Sequence, residues 1–172
     1  MKRYYINKDY CDTNLLISQA LRTQSFPTSY VIDKQYRIVG EVNGLKDFSE
    51  QLNSITKKVP KSTTNNMLDY SLKALLDYFE DDFDNMYANA VDSRKYGDYF
   101  FNNYLIYLYW NRKGINDSVA YYKNAALNTL EGADMFIYES LIREIDPENK
   151  LLELIEHYSS NHVHDENCGH QH

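Results

Sequence analysis

The chain has 172 residues, a formal net charge of −7 and 43% hydrophobic residues, a composition that predicts a soluble globular protein with a substantial core. The negative charge argues against a nucleic-acid surface, which needs clustered Lys and Arg. No apolar segment is long enough for a membrane span, and residues 1–8 lack the apolar run of a secretory signal. We therefore expect no nucleic-acid or membrane partner, and a cytoplasmic location if Met1 is the true start. A truncated chain would instead allow a periplasmic or secreted parent.

The first 58 residues predict a β-α-β-β-α order. Aromatic and β-branched residues favour a strand at 3–7, and helical spacing of apolar residues then continues to about Thr23. Two further strands are predicted at 30–32 and 38–42, joined by a polar turn. Gly44 permits an abrupt entry into the last helix of this segment, whose apolar face carries Leu45, Phe48, Leu52 and Ile55.

Residues 25–33 and 37–44 read Ser-Phe-Pro-Thr-Ser-Tyr-Val-Ile-Asp and Arg-Ile-Val-Gly-Glu-Val-Asn-Gly, and they resemble the second half of a thioredoxin fold. The resemblance implies a cis peptide bond before Pro27 and a loop, Phe26-Pro27-Thr28, that accepts an extended peptide as an added strand. The alternative is that Pro27 only opens an edge strand. The first half of that fold has no counterpart before residue 25.

Thiol-disulfide exchange needs a low-pKa thiolate and usually a resolving thiol nearby, and no Cys-x-x-Cys occurs in the chain. Cys11 and Cys168 lie near opposite ends, and Cys11 is interpreted as an ordinary semi-buried thiol. The central strand of a thioredoxin sheet is also missing. The strands at 3–7 and 28–32 would then pair directly in parallel, or a partner or the following helices would cover the edge.

Residues 59–65 are polar and include Pro60, so they are predicted to link the first segment to an all-helical domain at 66–158. Apolar residues follow helical spacing from Leu68 to Phe79 and from Phe83 to Val91. The segment 99–110 is apolar almost all round, which predicts a central helix that ends at Gly114. Further helices are predicted from a cap at Asn116 or Asp117, over 133–145, and around 151–158.

Seven residues of this region resemble the packing positions of one tetratricopeptide repeat: Asn102, Leu105, Ile106, Tyr109, Ser118, Tyr122 and Ala125. A generic helical hairpin would give much of the same pattern, and the usual Trp and Gly of the first helix are missing. The 17 tyrosines favour a Tyr-rich helical core, with an aromatic binding platform as the alternative.

The tail at 159–172 concentrates possible metal ligands: His162, His164, Cys168, His170 and His172. Imidazole and thiolate ligands suit Zn²⁺ or Ni²⁺, and a flexible peptide can wrap an ion. Incidental metal capture by a solvated tail is the alternative. The acidic run Glu80-Asp81-Asp82 with Asp84 lacks the spacing of a calcium loop and predicts a solvated helix junction.

The resulting prediction is an α+β protein: a partial thioredoxin-like segment followed by tetratricopeptide-like helical hairpins. The function that it favours is a non-catalytic scaffold for a protein or peptide, with no required cofactor. One alternative is the C-terminal part of a thiol-disulfide oxidoreductase whose Cys-x-x-Cys half is upstream or on another chain. Metal binding through the tail is a further alternative, compatible with both.

Overall fold

The computed structural model describes residues 16–23, 28–33, 35, 37–44, 46–57, 66–132 and 134–161. They form helices and one small antiparallel sheet, which confirms the α+β prediction at that level. The predicted strand at 3–7, Cys11 and the predicted linker 59–65 lie outside the described residues.

The sheet of the described part is a hairpin of β1 (Thr28–Ile32) and β2 (Ile38–Asn43), as predicted from the alternation of residues there. Thr28 pairs with Asn43 and Val31 with Gly40, but Ile32 pairs with Ile38, so β2 carries one extra residue. Within the turn, Asp33 accepts hydrogen bonds from the backbone N–H groups of Gln35 and Arg37. This bonding of a short side chain to its own backbone is what favours Asp in turns.

Helix α2 (Phe48–Lys57) packs on β2 at a glycine. A Cβ atom at Gly40 would lie 2.5 Å from the side chain of Ile55, closer than atoms can approach. Gly40 therefore lets helix and sheet meet. Gly44 has a φ of +75°, which suits the predicted sharp turn, but α2 begins at Phe48 and not directly after the glycine.

Helix α1 (Leu16–Ala20) precedes the sheet, and the remaining helices follow it: α3 (Asn66–Phe79), α4 (Phe83–Tyr96), α5 (Phe100–Lys113), α6 (Asn116–Asn128), α7 (Asp134–Ile137), α8 (Glu139–Ile145) and α9 (Lys150–Asn161). Within the described residues these later helices form three successive hairpins. Their first helices begin 34 residues apart, at 66, 100 and 134, and their second helices begin at 83, 116 and 150. A period of 20 to 50 residues is typical of helical repeats.

The core is centred on α5. Every residue from Phe100 to Ile106 is buried, which confirms the prediction of a central helix. Tyr99, Tyr104 and Tyr138 are buried with it, as expected for a core rich in tyrosine, whereas Tyr96, Tyr121 and Tyr158 are exposed. The rings of Phe100 and Tyr138 stack with their centroids 4.7 Å apart, and such an aromatic pair adds to the energy of burial.

Three details of the helical prediction are wrong. Ile115 occupies the cap position of α6, so Asn116 begins the helix instead of capping it. The predicted helix 133–145 is broken at Tyr138 into α7 and α8. Phe79, predicted on the apolar face of α3, is 38% exposed, whereas Leu72 and Leu75 of that face are buried. Helix α9 contains the predicted residues 151–158 and continues to Asn161.

The acidic run lies at the junction of α3 and α4, as predicted. Asp81 has a φ of +59°, and the side chain of Asp82 accepts a hydrogen bond from the N–H of Asn85 and so caps α4. Asp84 accepts a hydrogen bond from the hydroxyl of Tyr109 at 3.2 Å. These carboxylates therefore have structural roles at helix ends.

Candidate functional site

Helix α1 lies against the first helix of each hairpin, and the contact includes the buried polar side chains of Gln19, Ser71 and Asp134. We call the receiving surface the α1-binding face and define it by Ser71, Tyr99, Asp134, Tyr138 and Ser140. Ser71 comes from α3, Tyr99 immediately precedes α5, and the other three belong to α7, α8 or the break between them. Elements far apart in sequence thus converge on one short segment.

The α1-binding face holds α1 by its main chain. The hydroxyl of Tyr138 donates a hydrogen bond to the carbonyl of Gln19 at 3.0 Å, and that of Tyr99 donates to the carbonyl of Ala20 at 2.9 Å. Tyr99 is also hydrogen-bonded to Ser71. A phenol has one proton, so Ser71 must be the donor in that second bond.

An amide network at the start of α5 fixes the backbone of Tyr99. The side chain of Asn102 accepts from the N–H of Tyr99 at 3.2 Å and donates to the carbonyl of Gly97 at 2.7 Å. Asn103 donates to Asp98 at 2.6 Å and to the carbonyl of Tyr99 at 3.1 Å. Both Asn side chains are fully buried, so these bonds hold the Tyr99 backbone with little competition from water.

An ion pair closes one end of the contact. Arg22 Nη2 lies 2.7 Å from Asp134 Oδ2, with the Asp134 side chain only 4% exposed and that of Arg22 36% exposed. The guanidinium carbon of Arg22 also lies 5.6 Å from the centre of the Tyr99 ring, a cation-π distance. A buried carboxylate needs such a partner, because an unpaired charge is costly to bury.

Gln19 closes the other end of the contact. Its side-chain amide donates to the carbonyl of Ile137 at 2.9 Å and to the hydroxyl of Ser140 at 3.1 Å. The Ile137 carbonyl is the last of α7, so the Gln19 side chain supplies a donor at the break before α8. Gln19 is 1% exposed, and the α1-binding face forms hydrogen bonds with both its side chain and its carbonyl.

The last turn of α1 ends in a Schellman motif, with Arg22 at the position that usually holds glycine. The N–H of Thr23 bonds to the carbonyl of Ser18 at 2.9 Å, and the N–H of Arg22 bonds to that of Gln19 at 3.2 Å. Arg22 has a φ of +50°, in the left-handed region that side chains with a Cβ disfavour. The residue in this strained conformation, Arg22, is the one whose side chain pairs with Asp134.

Both phenols of the α1-binding face stay protonated around neutral pH. Burial raises the pKa of Tyr99 above the ordinary phenol value, against smaller opposing effects of the Ser71 hydrogen bond and the Arg22 charge. Burial also raises the pKa of Tyr138, and the nearby Tyr99 and Asp134 add to the effect. Protonated phenols donate hydrogen bonds and are poor bases or nucleophiles. The arrangement is therefore suited to binding.

The residues predicted as a peptide-binding loop are described only in part. Thr28 is the first residue of β1, whereas Phe26 and Pro27 lie outside the described residues, so the cis bond and the loop stay predictions. The predicted metal ligands His162, His164, Cys168, His170 and His172 also lie outside them. Within the described ranges, no group of three or more His, Cys, Asp or Glu side chains is arranged to hold a metal ion.

Sequence reasoning missed the α1-binding face. Tyr99 and Tyr138 were placed in the core, which is correct for their rings but gives no role to their hydroxyls. The pairing of Arg22 with Asp134 spans 112 residues and follows no local spacing. One signal was present: a Gln and an Arg three residues apart at the end of a short helical segment.

No protein-family model matches the chain, and neither a curated protein nor a solved structure matches it significantly. Among the described helices, none combines the length and apolar character that crossing a membrane requires.

Proposed function

We propose that this chain is a non-catalytic scaffold that binds protein or peptide segments. The supporting observation is that Tyr99 and Tyr138 donate hydrogen bonds to consecutive main-chain carbonyls of residues 16–23. Side chains that bind a polypeptide through its backbone form a recognition surface, to which charged and amide contacts add selectivity. Asp134 and Ser140 provide such contacts here.

We further propose that the scaffold combines a thioredoxin-related segment with tetratricopeptide-like hairpins. The order β1, β2, α2 agrees with what the thioredoxin resemblance implies for residues 28–57. The 34-residue spacing of the first helices supports the second part, since a tetratricopeptide repeat has that length. Stacked hairpins of this kind present extended surfaces to partners.

The C-terminal part of a thiol-disulfide oxidoreductase is the second candidate. The β1–β2–α2 order favours it too, because a half containing Cys-x-x-Cys would face the Phe26-Pro27-Thr28 loop. That half would lie upstream or on another chain. Metal binding through the tail is a third candidate, and it rests on the ligand chemistry of residues 162–172 alone.

The scaffold proposal is tested by selecting binders for the full chain from a display library of random peptides. A photo-reactive group on each selected peptide then reports where it binds, by mass spectrometry of the cross-linked chain. We expect cross-links on the first helices of the hairpins, over 66–79, 100–113 and 134–145. An unrelated protein of similar size and net charge serves as the control.

Two results would contradict the proposal. One is the absence of peptides enriched over the control protein. The other is cross-linking restricted to the second helices, α4, α6 and α9, which would show that peptides bind but not on the proposed surface.

A further inference from the structure

We infer that the first helices of the hairpins carry a binding site for an arginine side chain of a peptide partner. We call it the Glu144 site and define it by Tyr78, Tyr104, Tyr107 and Glu144. These residues come from α3, α5 and α8, and each lies further along its hairpin than the residues of the α1-binding face. The inference rests on the proposed scaffold function and names the class of peptide for it.

The carboxylate of Glu144 is exposed, but a buried phenol holds it in position. The hydroxyl of Tyr104, which is 4% exposed, donates a hydrogen bond to Glu144 Oε2 at 2.9 Å. Burial raises the pKa of Tyr104, and the charge and hydrogen bond of Glu144 raise it further, so the phenol keeps its proton. Within the described residues, Glu144 Oε1 accepts no hydrogen bond and no cation pairs with the carboxylate. A positioned carboxylate of this kind suits a charged donor.

Two half-buried rings lie beside the phenol that binds Glu144. Tyr107 stacks on Tyr104 with ring centroids 6.3 Å apart, and Tyr78 is near enough for its phenol to add to the raised pKa of Tyr104. A planar guanidinium can stack on such a ring and hydrogen-bond a carboxylate at the same time. An ammonium group lacks the plane and the paired donors, so the site favours Arg over Lys.

Other rings of the hairpins already have cations from this chain. Four half-buried rings each lie under a Lys or Arg, and the shortest of these distances is 3.8 Å, from the Arg112 guanidinium carbon to the centre of Phe83. Over Tyr78 and Tyr107 no cation of the described residues is found. The Glu144 site therefore has the rings and the carboxylate of a cation site, and its cation has to come from a ligand.

The surrounding charges favour a basic ligand. Arg143, the neighbour of Glu144 in sequence, pairs instead with Glu139 at 3.0 Å and with Glu156 at 2.9 Å. The whole chain has a net charge of −7, which attracts a basic peptide and repels an acidic one. Charge complementarity thus selects the same class of ligand as the local geometry.

The experiment repeats the peptide selection with the wild-type chain and with a Glu144→Gln chain. We expect Arg to be enriched among peptides selected on the wild type and not among those selected on the variant. One selected peptide is then labelled for fluorescence anisotropy, with citrulline in place of Arg as a neutral analogue of the same shape. Glu144→Gln and citrulline should each weaken binding at least about fivefold, and together little more than either alone.

Matched variants separate the local pair from general charge. Glu153→Gln removes the same charge from an exposed position on α9, outside the first helices, and should leave the affinity nearly unchanged. Tyr107→Leu should reduce the preference for Arg over Lys in the peptide. Tyr104→Phe removes only the hydroxyl that positions Glu144, so it should cost less affinity than Glu144→Gln. Circular dichroism confirms that each variant is folded.

Equal affinity of the wild-type and Glu144→Gln chains for the Arg peptide would overturn the inference, and so would an equal loss in Glu153→Gln. If the selected peptides still cross-link to the first helices, the scaffold proposal survives that result. If no peptide is enriched, both proposals fail, so the two failures are distinguishable. A Lys2→Ser/Arg3→Ser chain that binds the peptide more tightly than the wild type would assign the site to the chain's own basic residues and overturn the choice of a separate partner.

Discussion

Single buried polar residues connect the β-hairpin to the helical hairpins, and Asp69 is the clearest case. It is 3% exposed on α3, and its carboxylate accepts a hydrogen bond from the N–H of Ile38, the first residue of β2, at 2.7 Å. Burial raises the pKa of Asp69, while the Ile38 hydrogen bond and the charge of Lys73 act in the opposite direction. The folded chain therefore favours the neutral acid more than the unfolded chain does.

The sign of the pH dependence follows from this shift. A raised pKa in the folded state gives a contribution to stability that is present below the ordinary value of 3.8 and is lost as the pH rises through the folded pKa. At neutral pH the buried charge of Asp69 is thus a cost. Asp69→Asn keeps an oxygen acceptor for Ile38 and removes the charge.

We therefore expect Asp69→Asn to be at least as stable as the wild type in urea at pH 7, with a difference that shrinks towards pH 4. Asp69→Ala is the matched control, because it removes the acceptor and leaves the Ile38 N–H unpaired. It should lose about 1–3 kcal/mol of unfolding free energy. A loss as large for Asp69→Asn at pH 7 would show that the charge itself is required.

At the scale of elements, the sequence predicted what local periodicity determines. The helices α3, α4, α5 and α6 have apolar residues at helical spacing and clear end signals such as Gly114, and their predicted positions agree with the structure. Helix ends set by tertiary contacts were not predictable. The break at Tyr138 coincides with the donation of Gln19 to the carbonyl of Ile137, a partner 118 residues away.

The same limit applies to the candidate site. Arg22 ends α1 in a left-handed conformation for which glycine is the usual signal, so the Schellman motif had no recognisable sequence. Whether a buried Tyr uses its hydroxyl depends on which carbonyls lie nearby, and no spacing within α5 or α8 encodes that. Core membership was therefore predictable for Tyr99 and Tyr138, and their hydrogen-bond partners were not.

The turn between α4 and α5 determines where Tyr99 is placed, and it depends on a glycine. A Cβ at Gly97 would overlap the sulfur of Met67 on α3. Gly97 has extended backbone angles that any residue can adopt, so the requirement is steric. The Gly97 carbonyl also accepts the hydrogen bond from Asn102 that fixes the backbone before α5.

Gly97→Ala should therefore push the flexible side chain of Met67 aside, with a loss of at most about 3 kcal/mol of unfolding free energy. Met67→Ala opens the space that the new methyl group needs. In a double-mutant cycle measured by urea unfolding, Gly97→Ala should cost much less in the Met67→Ala background than in the wild type. Equal costs in both backgrounds would contradict the steric explanation.

At the scale of the whole molecule, the two predicted segments are joined by contacts that are distant in sequence. Arg22 with Asp134, Gln19 with Ile137, and Ile38 with Asp69 all cross from residues 16–57 to the helical hairpins. The entropy cost of closing such long loops rises only slowly with their length. The polar stretch at 59–65 therefore separates two sequence patterns, while the cores on either side share hydrogen bonds.

The scaffold and the oxidoreductase alternatives differ in whether the chain takes part in thiol exchange. Exchange between thiols and disulfides needs a reactive thiolate and a resolving thiol, and the chain has only Cys11 and Cys168, with no Cys-x-x-Cys. We expect the full chain to reduce the disulfides of insulin no faster than its Cys11→Ser/Cys168→Ser variant, with dithiothreitol as the electron source. A rate clearly above that of the variant would contradict the absence of catalysis.

The oxidoreductase alternative makes the opposite prediction when the missing half is supplied. An N-terminal thioredoxin fragment containing the Cys-x-x-Cys turn, added in trans, should gain activity only if residues 28–57 complete its sheet. The scaffold proposal predicts the same rate for the fragment with and without the chain. The matched control is the chain with Thr28→Pro, which removes a backbone N–H from the first residue of β1 and would weaken any complementation through that strand.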